Sequence, residues 1–106
     1  MKLGIVLNTN DPETAWNVLR LGSNALNARN EVSTFLLGKG VEIENIKSKT
    51  FDVAKALKSF IDAGGKLMAC GTCLNIRHQE AKICPVSTMS NLVEMISESD
   101  KVVTFG

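Results

Sequence analysis

The chain has 106 residues, of which 44% are hydrophobic and 22% are charged, and its formal net charge is +1. This length and composition predict one globular domain over residues 1–106, with enough apolar side chains for a core of its own. The balanced charge and the lack of a long apolar run argue against nucleic acid or a membrane as a partner.

The number and setting of the cysteines predict the compartment. Three cysteines are an odd count that does not suggest a disulfide framework. The apolar stretch at the amino end stops at Asn8 and is too short for a signal peptide. We therefore expect a reducing, cytoplasmic setting, in which two close cysteines indicate chemistry or metal binding.

The first part of the chain predicts a strand, a helix and a second strand. KLGIVLN (2–8) is a short apolar run typical of a buried strand. Asp11 can cap a helix that has Pro12 at its first position and reaches about Ala28. EVSTFLLG (31–38) then predicts the second strand.

The middle of the chain leads to a third strand that ends in a cysteine. The polar, aperiodic stretch 39–50 predicts a long loop, and Asp52 opens a second helix that closes at Gly64. KLMAC (66–70) is predicted to be the third strand, and a short helix is predicted to begin near Thr72.

The last part of the chain completes an alternating pattern. KICPV (82–86) predicts a weak fourth strand, Ser87 or Thr88 starts a helix, and KVVTF (101–105) predicts a final strand. The fold class is therefore α/β: a three-layer, flavodoxin-like fold with about five strands in a mainly parallel sheet and helices on both faces. The sequence does not define the strand order. If the order is 2-1-3-4-5, the order reverses between the first and third strands, where ligands gather.

Under that order, one pocket is expected at the carboxyl ends of the strands. Cys70 ends the third strand, the loop after the first strand would face it, and the 39–50 loop could cover both. The expected pocket residues besides the cysteines are Asn8, Asn10, Gly71, Thr72 and Arg77.

The position of Cys70 favours a reactive thiol. A thiol attacks only as the thiolate, and unpaired amide hydrogens at the start of a helix stabilise that form. Gly71 permits close approach of the backbone to a bound sulfur group. Arg77 either adds positive charge to the pocket or is simply a solvated side chain.

Four interpretations of the cysteines remain open at this point. Cys70 could be a solitary nucleophile, or Cys70 and Cys73 could be a thioredoxin-like dithiol, although the motif follows the third strand rather than an early one and Pro85 is a poor candidate for the facing cis-proline. The spacing Cys70-x2-Cys73-x4-His78-x5-Cys84 lies within one residue of a zinc knuckle. The cysteines could instead serve packing, Cys84 above all.

No glycine-rich phosphate loop follows the first strand, so no nucleotide or flavin cofactor is expected.

Several stretches together resemble the DsrE/DsrF-like family over essentially the whole chain: KLGIVLNTNDPETAWNVLRLGSNAL, FLLGKGVE, LMACGTCLNIR and VVTFG. The most specific features are Cys70 at the end of the third strand and Arg77 in the short helix after it, followed by the stretch Gly38 to Val41. The resemblance implies a flavodoxin-like fold and homo- or hetero-oligomers, commonly trimers or hexamers. It also implies an intracellular sulfur carrier whose persulfide-bearing cysteine is Cys70, whereas Cys73 lies outside the shared pattern.

The resulting hypothesis is a sulfurtransferase-type carrier rather than a classical enzyme, with no cofactor. Cys70 would accept a sulfane sulfur from a donor protein and present it to an acceptor thiol, and Cys73 could release the sulfur by attacking Cys70. The alternative is a non-catalytic oligomeric scaffold or binding protein. In that case Cys70, Cys73, His78 and Cys84 would be structural or would bind zinc.

Overall fold

The computed structural model describes residues 1–106 and contains one parallel sheet with helices on both faces. Five strands form the sheet: β1 (Lys2–Leu7), β2 (Glu31–Leu36), β3 (Lys66–Cys70), β4 (Val86–Ser87) and β5 (Lys101–Phe105). Four α-helices connect them: α1 (Pro12–Asn27), α2 (Val53–Asp62), α3 (Gly71–Ile76) and α4 (Met89–Glu98). A 3₁₀ helix over Gly38–Asn45, called the cover segment below, lies between β2 and α2.

The expected α/β class with a five-stranded parallel sheet is confirmed, but the strand order differs from the one considered. The order is β4-β3-β2-β1-β5, so β2 lies between β1 and β3. The order reverses between β1 and β5, not between β1 and β3. Because crossovers are right-handed, the three connections that run from β1 towards β4 lie on one face, and α4 returns on the other.

The helices form where the sequence supplies caps and an apolar face. The Asp11 carboxylate accepts a hydrogen bond from the Thr14 amide at 2.9 Å and caps α1. Asp52 caps α2 in the same way through Lys55, and Thr88 caps α4. On the opposite face of the sheet, Met95 of α4 packs over the backbone at Gly4, where a Cβ atom would contact its methyl group at 3.2 Å.

Three parts of the chain differ from the sequence-based prediction. The stretch predicted as a loop from residue 39 begins with the cover segment, which buries Val41 and Ile43. The predicted strand 82–86 is reduced to β4, and Cys84 lies in the preceding loop rather than in a strand. β2 also ends at Leu36 rather than at Gly38.

The parallel register brings the strand ends together at one edge of the sheet. Leu7 pairs with Leu36, Leu36 pairs with Ala69, and Cys70 pairs with Ser87. The cover segment packs directly on this edge, because Gly40 lies against the backbone of Leu7 where no Cβ atom fits. None of the helices combines the length and the hydrophobicity that a membrane-spanning segment requires.

Candidate functional site

The candidate site is the pair Cys70 and Cys73 at the junction of β3 and α3. Cys70 is the N-cap residue of α3, and its Sγ atom accepts a hydrogen bond from the Cys73 amide at 3.4 Å. The Cys70 side chain is also among the groups that shift the pKa of the Cys73 thiol. Both cysteines are free thiols. Their contact follows from the local sequence, since a residue at the cap and the residue three positions later face each other at the start of a helix.

The two thiols differ in their exposure. Cys70 is 2% exposed and belongs to the hydrophobic core, whereas Cys73 is half-buried. An open pocket around Cys70 was expected, and that prediction is wrong for the isolated chain. None of the five main cavities on the surface is lined by either cysteine. Cys73 is therefore the more exposed residue of the pair.

The cover segment supplies a hydrogen bond to the more exposed sulfur. The Gly38 amide donates to Cys73 Sγ at 3.3 Å. Gly38 has a φ of +55°, a backbone conformation that favours glycine. Asn8 at the end of β1 reaches this glycine, because its Oδ1 lies where a Cβ atom of residue 38 would be. Asn8 therefore supports the site through Gly38 and does not face Cys70, since β2 lies between their strands.

The electrostatic environment of Cys73 contains opposing influences. Burial raises the pKa of the Cys73 thiol, and the hydrogen bond and charge interaction with Cys70 raise it further. The Gly38 amide and the positive charge of Arg77 act in the opposite direction and lower this pKa. The Arg77 guanidinium also donates to the Cys73 carbonyl oxygen at 3.2 Å.

The remaining expected pocket residues take different positions. Gly71 packs tightly against β4, where a Cβ atom would lie 3.0 Å from Val86. Thr72 is exposed on the first turn of α3. Asn10 is exposed, and its side-chain amide donates to the Glu42 carboxylate of the cover segment at 3.0 Å.

Two glutamates that the sequence-based reasoning did not single out hold the cover segment in place. Glu44 accepts hydrogen bonds from three successive amides, at 3.1 Å from Lys82, 2.9 Å from Ile83 and 3.3 Å from Cys84. Glu42 accepts from the Gln79 side chain at 3.2 Å. The alternation of acidic and apolar residues in VEIE (41–44) was the available signal, since it indicates a segment with one buried side.

Cys84 is a packing residue. It is 4% exposed, and burial together with the nearby Glu44 carboxylate raises its pKa to about 12. Because the folded-state pKa lies above that of an unfolded thiol, this burial favours the folded state at neutral pH. The contribution is lost as the pH rises towards 12.

The zinc interpretation of the cysteines is not supported by the geometry. His78 is exposed at a backbone turn with a φ of +51°. No cluster of three or more histidine, cysteine, aspartate or glutamate side chains could hold a metal ion. The proposed ligands therefore do not meet as a set of four: Cys70, Cys73, His78 and Cys84.

Comparison with solved structures supports the architecture. The fold is similar to that of a conserved protein of unknown function from Bacteroides thetaiotaomicron, with a TM-score of 0.80 and 20% identity over 98% of this chain and 94% of that one. It is also similar to a protein of unknown function from Methanobacterium thermoautotrophicum, with a TM-score of 0.69 and 15% identity over 98% of each chain. At these identities the similarity concerns the fold alone.

Comparison of sequences identifies the family. Over 100 residues the chain is 35% identical to an uncharacterized protein of Methanocaldococcus jannaschii, an alignment that covers 88% of each chain. It is 32% identical to an uncharacterized protein of Methanopyrus kandleri, over 88% of this chain and 83% of that one. The profile of the DsrE/DsrF-like family matches residues 1–105. The chain therefore belongs to the DsrE/DsrF-like family.

Proposed function

We propose that this protein is a sulfur carrier that holds a sulfane sulfur as a persulfide on Cys70 and passes it to a thiol of a partner protein. The observation that supports this most directly is the hydrogen-bonded pair of free thiols at the carboxyl edge of the sheet. The amide of Cys73 donates a hydrogen bond to the Cys70 sulfur at 3.4 Å, which holds the two residues together at the start of α3.

The burial of Cys70 suits storage of sulfur better than rapid exchange with solvent. A persulfide is lost when another thiolate attacks one of its two sulfurs, and the rate of that attack depends on access. At 2% exposure, Cys70 is shielded from free thiols. The same shielding means that loading and delivery need either a neighbouring group or a local movement of the chain.

The partners of such a carrier are a donor protein, an acceptor protein and further copies of this chain, for which a homotrimer or homohexamer is the proposed assembly. The proposed setting is the reducing cytoplasm, which keeps all three cysteines free. The proposed chemistry needs no cofactor, because thiolates are sufficient for sulfur exchange.

Sulfur loading can be measured by intact mass. The protein is incubated with a cysteine desulfurase and cysteine, separated from the donor by gel filtration, and weighed. After a brief treatment with free glutathione, we expect the wild type to retain the added mass of one sulfur atom and Cys70→Ser to retain none, while Cys84→Ala behaves like the wild type. An unmodified wild type, or equal retention in Cys70→Ser, would exclude Cys70 as the carrier.

A second candidate function is a non-catalytic scaffold, and the burial of Cys70 and Cys84 is the observation that favours it. In that case the cysteines act as small hydrophobic residues. Absence of thiol reactivity at Cys70 and Cys73 towards iodoacetamide in the folded protein would favour this function over sulfur transfer.

A further inference from the structure

We propose that Cys73 is the thiol that first receives the sulfane sulfur and that Cys73 then hands this sulfur to Cys70. The inference rests on the proposed function and assigns an order to its two thiols. It starts from their unequal exposure, because a donor persulfide has to place its outer sulfur in line with the attacking sulfur atom. Half-buried Cys73 can meet this requirement, whereas Cys70, at 2% exposure, cannot meet it without movement of the chain.

The second transfer is favoured by the contact between the two side chains. The Cys73 amide donates to Cys70 Sγ at 3.4 Å, and the Cys70 side chain is close enough to shift the pKa of the Cys73 thiol. The two sulfurs are therefore neighbours within one rigid turn of helix. Holding the reacting groups together in this way replaces a bimolecular reaction by an intramolecular one.

The first transfer begins when the Cys73 thiol loses its proton to water and becomes the thiolate. That thiolate attacks the outer sulfur of a donor persulfide, R–S–SH. A bond forms between Cys73 Sγ and the outer sulfur, the S–S bond of the donor breaks, and the donor leaves as a thiolate that takes up a proton from water.

The handover is balanced within the pair. The Cys70 thiol loses its proton as its sulfur attacks the outer sulfur of the Cys73 persulfide, and the S–S bond at Cys73 breaks. Cys73 leaves as a thiolate and is reprotonated, so that Cys70 carries the persulfide and Cys73 is again a thiol. Sulfane sulfur moves between thiols without a net change in oxidation state, so no oxidant or reductant is required.

Two groups at Cys73 assist its departure from the persulfide. The Gly38 amide donates to Cys73 Sγ at 3.3 Å, and both this amide and the positive charge of Arg77 act to lower the pKa of Cys73, against the burial and the Cys70 side chain that raise it. The Cys73 thiolate that leaves is therefore met by a hydrogen-bond donor and a nearby positive charge.

The order of transfer is tested with glutathione persulfide as the donor. Wild type, Cys73→Ser, Cys70→Ser and, as a matched control, Cys84→Ala are mixed with the donor and quenched at increasing times with excess iodoacetamide. Peptide mapping then locates the added sulfur. Circular dichroism and the thermal midpoint establish that each variant is folded, and Cys73→Ala serves as a second variant at that position.

We expect the added sulfur of the wild type on Cys73 at early times and on Cys70 later. Cys73→Ser and Cys73→Ala should acquire sulfur on Cys70 at least about tenfold more slowly than the wild type, because exposure limits the attack. Cys70→Ser should acquire sulfur on Cys73 and lose it when free glutathione is added.

Two results would overturn the inference, and they differ in scope. If the wild type and folded Cys73 variants load Cys70 at the same rate, Cys73 is not the receiving thiol, although the protein remains a carrier. If the wild type acquires no sulfur from glutathione persulfide or from the desulfurase, the proposed function fails and the inference fails with it.

Discussion

At the scale of single residues, the chemistry of the site depends on the surroundings of its more exposed thiol, Cys73. Burial and the Cys70 side chain raise the pKa of Cys73, and the Gly38 amide and the Arg77 charge lower it. Reactivity towards small reagents should therefore report on Cys73 and should depend on the charges near it.

The charge of Arg77 should set the pH at which Cys73 reacts. Because Arg77 lowers the pKa of Cys73, replacement by Met removes that effect and moves the pH of half-maximal alkylation upward. In the wild type this midpoint should already lie above the ordinary thiol value of 9.0, since burial and Cys70 raise the pKa. The measurement is the rate of iodoacetamide modification of Cys73 against pH, read by peptide mapping.

Lys58→Met is the matched control for Arg77→Met, because Lys58 is exposed on α2 and is not among the groups that shift the pKa of Cys73. It should leave the pH profile unchanged. A midpoint that stays the same in Arg77→Met, or that moves downward, would show that the guanidinium does not stabilise the Cys73 thiolate.

At the scale of elements, the cover segment determines how the site is closed. Its first amide contacts Cys73, its middle packs on the end of β1, and its two glutamates bind the loop that precedes β4. One short 3₁₀ helix thus joins the carboxyl ends of the strands to the α3–β4 connection. Loss of one glutamate should loosen that connection and expose the thiols behind it.

Replacement of Glu44 by Ala tests this connection. The substitution removes the acceptor of three amide hydrogen bonds, and two of these bonds are exposed to solvent that can replace the carboxylate. We expect a loss of about 1–3 kcal/mol in the free energy of unfolding, the range for hydrogen bonds to a charged group. Urea denaturation measures this loss.

Alkylation of Cys84 in the folded protein gives a second, local readout for Glu44→Ala. Without the Glu44 carboxylate, its charge and hydrogen bond no longer raise the pKa of Cys84, and only burial does so. The loop that contains Cys84 also loses its hydrogen bonds to the cover segment. Cys84 should therefore react faster than in the wild type. The control is Glu80→Ala, an exposed glutamate in the same connection, which should react like the wild type. Equal stability and equal Cys84 reactivity in both variants would contradict the role given to Glu44.

The sequence allowed the regular elements to be predicted because each carries its signal locally. β1 is a continuous apolar run, and the helices α1 and α2 begin at aspartates whose side chains cap them. The fourth strand was predicted too long for a physical reason. The amides of residues 82–84 donate hydrogen bonds to Glu44, which is 38 to 40 positions away in the chain. A contact at this distance cannot be predicted from the local sequence pattern.

The sequence indicates where the candidate thiols lie along the chain but not how exposed they are. Cys70 is singled out by its place at the end of the third strand, and Cys73 by its spacing from Cys70. The strand order could not be predicted, since it depends on which strands pair, and it separates Asn8 from Cys70 by the width of β2. The burial of Cys70 depends on the same packing, so the sequence suggested an open pocket where the fold has a covered pair.

At the scale of the whole molecule, the outer face of α4 is apolar where a solvent-facing helix is usually polar. Met89, Val93 and Ile96 are 54%, 61% and 48% exposed, and their spacing of four and three residues places them in one stripe. Leu92 and Met95 lie against the core instead. The helix therefore has apolar side chains on two sides, and only one of these sides packs against the rest of the chain.

The apolar stripe on α4 predicts self-association through that helix. Contiguous exposed apolar residues of this kind mark contact surfaces, and a second copy of the chain is the proposed occupant. Val93→Lys places a charge at the centre of the stripe, and burying an unpaired charge is costly. We expect the wild type to sediment as an oligomer and Val93→Lys as a smaller species at the same concentration.

The control for Val93→Lys is Leu21→Lys, at a residue of α1 that is 42% exposed, which should leave the assembly unchanged. A wild type that stays monomeric at every concentration, or a Val93→Lys variant that sediments like the wild type, would show that this stripe does not join subunits.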